Sequence, residues 1–284
     1  MNRTVARILL AIALALPAAW AEATITCSTI TSGGWSTAYV PSNPGTNITQ
    51  STFTMTCQRN VGTDPTTLSF TVSVDNGLHP QGQQNRAQLA AGTILYENYQ
   101  DSGCLNIWKS SGGQRISGSM TLSGLVSSST TVSYWGCVPA SQAGLATGTY
   151  TDTVTMSARD SAGGATLVTG SFNVSIFNPS VCTITQAPGN VAFTYAAFQP
   201  AAATASTTFG VTCTNLLPYS IALDATSGVV SGLQYLVSLS GASSTGTGVQ
   251  QSYTANGTMP AGQAGTCATG SCTGTNTHTL TITY

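Results

Sequence analysis

The stretch LSFTVSVD, residues 68–75, alternates apolar and polar side chains and ends in an aspartate. Such an alternation places every second residue on one face of a β-strand. The residues predicted to face a core are Leu68, Phe70, Val72 and Val74. Similar short runs recur along the chain, separated by clusters of glycine, proline, asparagine and serine. Because long helical periodicity is absent, the predicted fold class is all-β, built from antiparallel sandwiches.

The order of several motifs indicates an internal duplication. An alternating run that ends in aspartate occurs once in each half, as LSFTVSVD and as YSIALD at 219–224. Each is followed by a related turn sequence, VPASQAG at 138–144 and MPAGQAG at 259–265, and then by one more alternating strand. Motifs repeated in the same order predict two homologous domains, about 22–178 and 179–284.

The first 21 residues are predicted to be a secretory leader, so that the mature chain begins at Glu22. Two arginines precede nine apolar residues at 8–16 and a small-x-small triplet at 19–21. A membrane anchor is the alternative, but nine apolar residues are fewer than the roughly 20 that a bilayer requires. We therefore expect a protein that leaves the cytoplasm.

Eight cysteines in an exported chain favour disulfides over a zinc site, because the paired short spacings of zinc ligands are missing. They are Cys27, Cys57, Cys104, Cys137, Cys182, Cys213, Cys267 and Cys272. Separations of 30 and 31 positions in the two repeats predict that Cys27 pairs with Cys57 and that Cys182 pairs with Cys213. Proximity in sequence is the only guide for the other four, so their pairing stays open.

Composition limits the possible functions. Only 5% of the 284 residues are charged, against roughly 25% in ordinary soluble proteins, while 41% are hydrophobic. Five basic and eight acidic residues follow the leader, a net charge of about −3 that makes nucleic acid a poor partner. Titratable groups are scarce, and neither a GxSxG motif nor a carboxylate pair stands out. We predict no enzyme activity, no cofactor and no metal site.

The two halves differ in their last strand. After residue 156 the first half turns and continues into GSFNVSIF at 170–177, where Phe172, Val174 and Ile176 alternate as a buried strand. The second half has no counterpart before Tyr284. An uncovered sheet edge and core strip would require a strand from another chain, so we expect the second domain to be an incomplete sandwich that accepts one.

Several segments carry a family resemblance. In the second half they are CTIT at 182, VTCTN at 211, YSIALD, the run TGTGVQQSYTANGTMPAGQAG at 245–265 and the terminal THTLTITY. In the first half they are VDNG at 74, Asn85 with Arg86, LYENYQD at 95, Trp108 and TGTYTDTVTM at 147. Together they resemble the spore coat protein U family.

The resemblance implies immunoglobulin-like sandwiches and a place in archaic chaperone-usher pili. Expected partners are a periplasmic chaperone, an outer-membrane usher, the donor strand of an adjacent pilin and an unknown surface or receptor. Residues 22–26 are too few for a donor strand, so the expected position is the pilus tip at the cell surface, with a role in attachment and biofilm formation. The alternative is a spore-coat-like or minor shaft subunit without receptor binding.

Two sets of residues are the predicted sites. Leu280, Ile282 and Tyr284 are expected to line the groove that accepts the donor strand, the alternative being plain core residues of a complete sandwich. Exposed aromatic residues on loops can grip an apolar surface or stack on a sugar, which makes Trp35, Tyr39 and Trp135 candidates for surface adhesion. Tyr96 and Trp108 are instead predicted to pack in the core.

Overall fold

The computed structural model describes residues 25–40, 45–267 and 271–284, so the predicted leader lies outside the described residues. The strands of the first half are β1 (Ile25–Ser32), β2 (Trp35–Ala38), β3 (Asn47–Arg59), β4 (Thr67–Val74), β5 (Asn85–Leu89), β6 (Gly92–Tyr99), β7 (Ile116–Thr121), β8 (Ser128–Val138), β9 (Gly148–Asp160) and β10 (Thr166–Asn178). Those of the second half are β11 (Cys182–Gln186), β12 (Ala203–Cys213), β13 (Pro218–Leu223), β14 (Ser227–Val230), β15 (Leu233–Leu239), β16 (Ser243–Thr245), β17 (Gln251–Met259) and β18 (Leu280–Thr283). One 3-10 turn, Gly112–Gln114, is the only helical segment within these ranges.

The all-β prediction is confirmed, in a two-domain arrangement. We call β1–β10 the first domain and β11–β18 the second. In the first domain, one layer has the order β1-β3-β8-β6 and the other contains β2-β10-β9-β4-β7. Strand β5 pairs with both β6 and β9 and so joins the layers into one curled sheet.

The second domain repeats this plan with fewer strands. One sheet has the order β11-β12-β17-β15-β14 and the other has three strands, β16-β13-β18. All described strand pairs of both domains are antiparallel except β2 with β10, which is parallel. This single parallel pair occurs where the chain passes, between β1 and β2, from the layer of β3 to the layer of β10.

In both domains a disulfide joins two neighbouring strands of one sheet. Cys27 lies directly opposite Cys57 in the register of β1 and β3, with 3.9 Å between the Cα atoms, and the two are bonded. Cys182 and Cys213 repeat the arrangement on β11 and β12 with a Cα distance of 4.1 Å. The structure also pairs the remaining four, as Cys104 with Cys137 and as Cys267 with Cys272.

The core of the first domain is continuous and is centred on aromatic rings. Trp108 stacks near Phe53 and Phe172, with ring centroids 5.6 and 6.2 Å away, and Tyr134 lies 5.0 Å from it. The predicted core residues of β4, together with Tyr96 and Trp108, are all buried. Since Phe172 belongs to β10, this strand completes the core as well as the sheet.

Candidate functional site

Gln142, in the repeated turn sequence, anchors that turn in the first domain. Its backbone N–H donates to Tyr39 Oη at 2.8 Å. Its side-chain amide donates to the carbonyl oxygens of Leu95 (3.0 Å) and Pro139 (3.1 Å) and accepts from the N–H of Leu95 (2.7 Å). One side chain thereby ties the turn to β6.

Gln263 makes the same set of bonds in the second domain. Its N–H donates to Tyr195 Oη at 2.9 Å, and its amide donates to Gln234 O and Pro260 O, both at 3.0 Å. The N–H of Gln234 donates back to Gln263 Oε1 at 2.6 Å. Tyr195 therefore holds the place of Tyr39, and Gln234 that of Leu95, so the two domains can be compared residue by residue.

The aspartate at the end of each repeated strand fixes a second correspondence. The N–H of Asp75 donates to Thr155 O at 3.1 Å, and the N–H of Asp224 donates to Thr279 O at 3.0 Å. β18 thus corresponds to the second half of β9. The equivalent residues are Met156 with Leu280, Ala158 with Ile282 and Asp160 with Tyr284.

In the first domain, β10 covers the free edge of β9. The two strands pair along their whole length, and β10 also pairs with β2 on its other side. Phe172, Val174 and Ile176 point inward and are buried, as the sequence predicts for this strand. The inward residues Met156 and Ala158 of β9 are fully buried as a result.

In the second domain, β18 pairs with β13 on one side, and no strand of the described ranges pairs with its other side. Leu280 and Ile282 are only half-buried, although both pack against the apolar cluster around Phe209. Tyr284 follows the strand and is 57% exposed. The three residues predicted to line a groove therefore flank an uncovered edge, with Tyr284 at its outer end.

Because Tyr195 corresponds to Tyr39, residues 191–195 hold the place of β2, which in the first domain lies across β10 from β9. No strand is found between residues 187 and 202, yet Val191, Phe193 and Tyr195 are half-buried while the two residues between them are exposed. A Cβ on Gly257 would overlap the Phe193 ring, just as one on Gly136 would overlap Trp35. We call the strip between residues 191–195 and β18 the open groove.

The core of the second domain is divided where the groove runs. Within the described residues, one buried cluster surrounds Phe209 and Tyr253, and a separate one consists of Tyr235, Val237 and Met259. Leu280 and Ile282 border the first cluster, whereas Phe193 and Tyr195 border the second. A strand lying in the groove would join the two clusters, as β10 does in the first domain.

A small polar group of residues lies just before β18. His278 Nδ1 contacts Asp224 Oδ1 at 2.8 Å, and its Nε2 lies 2.7 Å from Tyr235 Oη, which also accepts from Asn276 Nδ2 at 2.6 Å. The hydrogen bond from His278, supported by one from the Thr279 backbone, holds the pKa of Asp224 below its usual value. Asp224 is the only Asp, Glu, Lys or Arg from residue 180 to 284, so the groove itself is uncharged.

Two predicted adhesion residues are not on the surface. Trp35 is buried, donates from its indole nitrogen to Asn98 Oδ1 at 3.0 Å, and meets the Tyr96 ring edge-on at 5.4 Å. Tyr39 is buried and its hydroxyl accepts from Gln142. The prediction of exposed loop aromatics is therefore wrong for Trp35 and Tyr39, because β2 draws this segment into the sheet beside β10.

Trp135 remains the aromatic candidate for adhesion. It is half-buried on β8, where its register partners are Gln50 of β3 and Tyr99 of β6. Tyr99 is also half-buried, and Leu105, which follows the Cys104 that is bonded to Cys137, is 83% exposed. Sequence reasoning missed Tyr99 and Leu105, because only the strand register brings Tyr99 beside Trp135 and only the disulfide of Cys104 with Cys137 relates Leu105 to β8.

A known protein family matches both halves of this duplicated chain. The model of the Spore Coat Protein U domain matches residues 11–157 and 168–283. The chain belongs to the spore coat protein U domain family. No curated protein matches this spore coat U chain.

Solved structures give further, weaker similarities. The chaperone–tip adhesion subunit pre-assembly complex CsuC–CsuE, from archaic Csu pili of Acinetobacter baumannii, is 12% identical with a TM-score of 0.46, covering 91% of this chain and 100% of the other. The CupB6 tip adhesin of Pseudomonas aeruginosa is 11% identical with a TM-score of 0.38, covering 92% and 95%. At these identities no residue role is transferred from either protein to the spore coat U chain.

The described part of the spore coat U chain contains no cluster of three or more His, Cys, Asp or Glu that could hold a metal ion. It also contains no helix long and apolar enough to span a membrane. Within the described residues, the open groove beside β18 distinguishes the second domain from the first.

Proposed function

We propose that the chain is a non-enzymatic pilus adhesin subunit, joined to its fibre by a strand that an adjacent subunit inserts into the open groove, which thereby serves as an acceptor groove. The observation that carries the proposal is the uncovered edge of β18 beside a divided apolar core. Strand addition to an exposed sheet edge is an established mode of protein association, with backbone hydrogen bonds supplying affinity and side-chain pockets supplying specificity.

The first domain indicates what the donated strand looks like. β10 runs antiparallel to β9 and parallel to β2, so a donor would run antiparallel to β18 and parallel to residues 191–195. It would present apolar side chains at alternate positions, as Phe172, Val174 and Ile176 do. Burying three such side chains contributes about 5 to 9 kcal/mol, comparable to the whole stability of a domain.

The proposed partners follow from this need. A subunit whose apolar groove is open before assembly requires a protector, the role of a periplasmic chaperone, and an outer-membrane usher where the donor strand replaces it. The first domain is completed by its own β10, which leaves its outer surface free for attachment at the pilus tip and for biofilm formation. Trp135, Tyr99 and Leu105 are the proposed contact residues.

The groove can be tested by supplying its strand in the same chain. Because Tyr284 holds the place of Asp160, residues 161–178 are copied after Tyr284, reproducing the turn and β10. The grafted protein should accumulate as a soluble monomer in a periplasm that lacks a pilus chaperone, and its second domain should unfold at a clearly higher temperature. The matched control carries aspartate at the three copied positions of Phe172, Val174 and Ile176.

Equal solubility and equal unfolding temperatures of the grafted, control and ungrafted proteins would contradict an acceptor groove. Attachment is measured separately, with the grafted protein on plastic and on cells. Trp135→Ser should reduce binding several-fold without lowering the unfolding temperature. A grafted protein that is stable but binds no surface would support a coat or minor shaft subunit instead.

A further inference from the structure

Lys109 is the only lysine of the chain, and its side chain lies inside the first domain. The residue is 5% exposed and directly follows the core residue Trp108. Its Nζ lies 2.6 Å from Glu97 Oε2, donates to Asn76 Oδ1 at 3.0 Å, and donates to Asn85 Oδ1. An amine, a carboxamide and a carboxyl group therefore meet in one buried site.

This arrangement is more than an ion pair. A buried lysine needs a compensating charge, which Glu97 supplies, but the fully buried Asn85 adds an electrophilic carbonyl carbon beside the amine. The carboxamide is held in one orientation, since its Oδ1 faces Lys109 while its Nδ2 donates to Tyr96 Oη at 3.3 Å. Tyr96 is itself fixed by a 2.6 Å hydrogen bond to Asp152.

We propose that Lys109 and Asn85 become joined by an intramolecular isopeptide bond, with Glu97 as the catalytic residue that carries the proton. Asn85 opens β5, Glu97 lies on the adjacent strand β6, and Lys109 follows β6. The bond would close the β5–β6 hairpin on itself covalently.

The reaction needs no reagent from outside. Glu97 takes a proton from the Lys109 ammonium group, and the neutral Nζ attacks Cγ of Asn85 to form a C–N bond. Glu97 returns the proton to the carboxamide nitrogen, the Cγ–Nδ2 bond breaks and ammonia leaves. Nζ also releases the second proton that an amide nitrogen cannot keep, and the departing ammonia takes it up in water as ammonium. The chain thereby loses the mass of one ammonia, about 17 Da.

The surroundings of Glu97 suit a proton carrier. Burial raises the pKa of Glu97 above its ordinary value, although contact with Lys109 opposes the shift. Its Oε1 accepts from the backbone N–H of Asn85 at 3.2 Å while Oε2 faces Lys109, so the carboxyl group touches both reacting residues. Transfer of the proton from Lys109 to Glu97 also removes two buried charges at once.

The test uses the full-length exported protein, reduced and denatured before analysis. Endoproteinase Lys-C cuts after an unmodified lysine, so a chain with a free Lys109 yields two fragments and an acylated one stays whole. The wild type should resist cleavage, weigh about 17 Da less than its calculated mass, and give a linked peptide containing residues 85 and 109. A modification elsewhere in the chain would shift the mass of the wild type and of every variant equally, so it does not affect the comparison between them.

Variants assign the roles. Glu97→Gln and Asn85→Ala should be cut by Lys-C and show no loss of ammonia, and Lys109→Arg should have its calculated mass. Asn76→Ala, the matched control, should behave like the wild type. A wild-type chain that is cut and has its calculated mass would overturn the proposal without requiring any variant to fold. A link to Asn76 would overturn the assignment of Asn85, and a bond that persists in Glu97→Gln would overturn the role of Glu97.

Discussion

The two domains have the same strand arrangement, but only the first contains the strand that completes it. Both have a disulfide between their first two paired strands, a glutamine that ties the repeated turn to a neighbouring strand, and a glycine facing an aromatic ring. The first domain has β10 between β9 and β2, whereas the second has an open strip at the equivalent place. The presence of this one strand therefore distinguishes the continuous core of the first domain from the divided core of the second.

The difference between the domains indicates that the length of a strand depends on contacts with the core as much as on pairing within the sheet. β9 has 13 residues in strand conformation, while β18 has four. Residues 271–279, which match the start of β9, form no strand. No strand of the described ranges pairs with this segment, so we expect it to become a strand only when the groove is filled.

The largest expected effect comes from damaging the strand that completes the first domain. Val174→Asp places an unpaired charge where Val174 is fully buried, and should destabilise the domain by more than about 4 kcal/mol. All tryptophans beyond residue 21 lie in the first domain, so urea unfolding followed by tryptophan fluorescence reports this domain selectively. Phe177→Asp, on the same strand but 46% exposed, is the control and should change stability by about 0.5 kcal/mol or less.

A second pair of variants compares the aromatic residues that face the two glycines. Trp35→Ala should cost about 3 to 5 kcal/mol, because Trp35 is buried. Phe193→Ala should cost about 1 to 2 kcal/mol in the open second domain and more in the grafted protein, where the donated strand covers the ring. Urea unfolding measures both stability costs, and for Phe193→Ala it is followed by the circular dichroism of the tyrosines. Equal costs with and without the graft would mean that Phe193 does not line the groove.

The two glutamines should behave alike, since their bonds do not involve the missing strand. Gln142→Ala and Gln263→Ala each remove three side-chain hydrogen bonds and should each cost about 1 to 3 kcal/mol. Both are measured by urea unfolding in the grafted protein. A difference of more than about 1 kcal/mol would show that the turns are not equivalent in energy.

The smallest effect concerns acid. The pKa of Asp224 is lowered chiefly by His278, so the ionised carboxylate stabilises the second domain above the unfolded-state pKa of about 3.9. This contribution is lost as the pH falls through the lower folded-state pKa. The unfolding temperature of the grafted protein should therefore drop in this range, and His278→Ala should reduce the drop. Asp224→Asn is the control, and an unchanged drop in this variant would assign the effect to other carboxyl groups.

The sequence predicts the all-β fold because alternation is a local signal. In β4 the predicted inward face is buried, and Tyr96 and Trp108 lie in the core as expected. Leu280 and Ile282 could be placed beside an uncovered edge because the repeat supplies an internal reference, in which GSFNVSIF has no counterpart. A sequence without a second copy would not have offered that comparison.

The positions of Trp35 and Tyr39 could not be predicted in the same way. The turn-rich stretch around them gives β2 only four residues, and its partner β10 lies more than 130 positions later in the chain. A local pattern carries no information about so distant a pairing. Phe193 and Tyr195 were missed for the same reason, although their alternation with Val191, seen beside Trp35 and Tyr39, is a signal that could have found them.

The short connection after β10 has a mechanical consequence. β10 ends at Asn178 and β11 begins at Cys182, so a pulling force on the second domain reaches the first domain through β10. The backbone pairing of β10 with β9 and β2 opposes that force. In the proposed attachment at the pilus tip, the strand that completes the first domain would therefore also transmit force between the fibre and the surface.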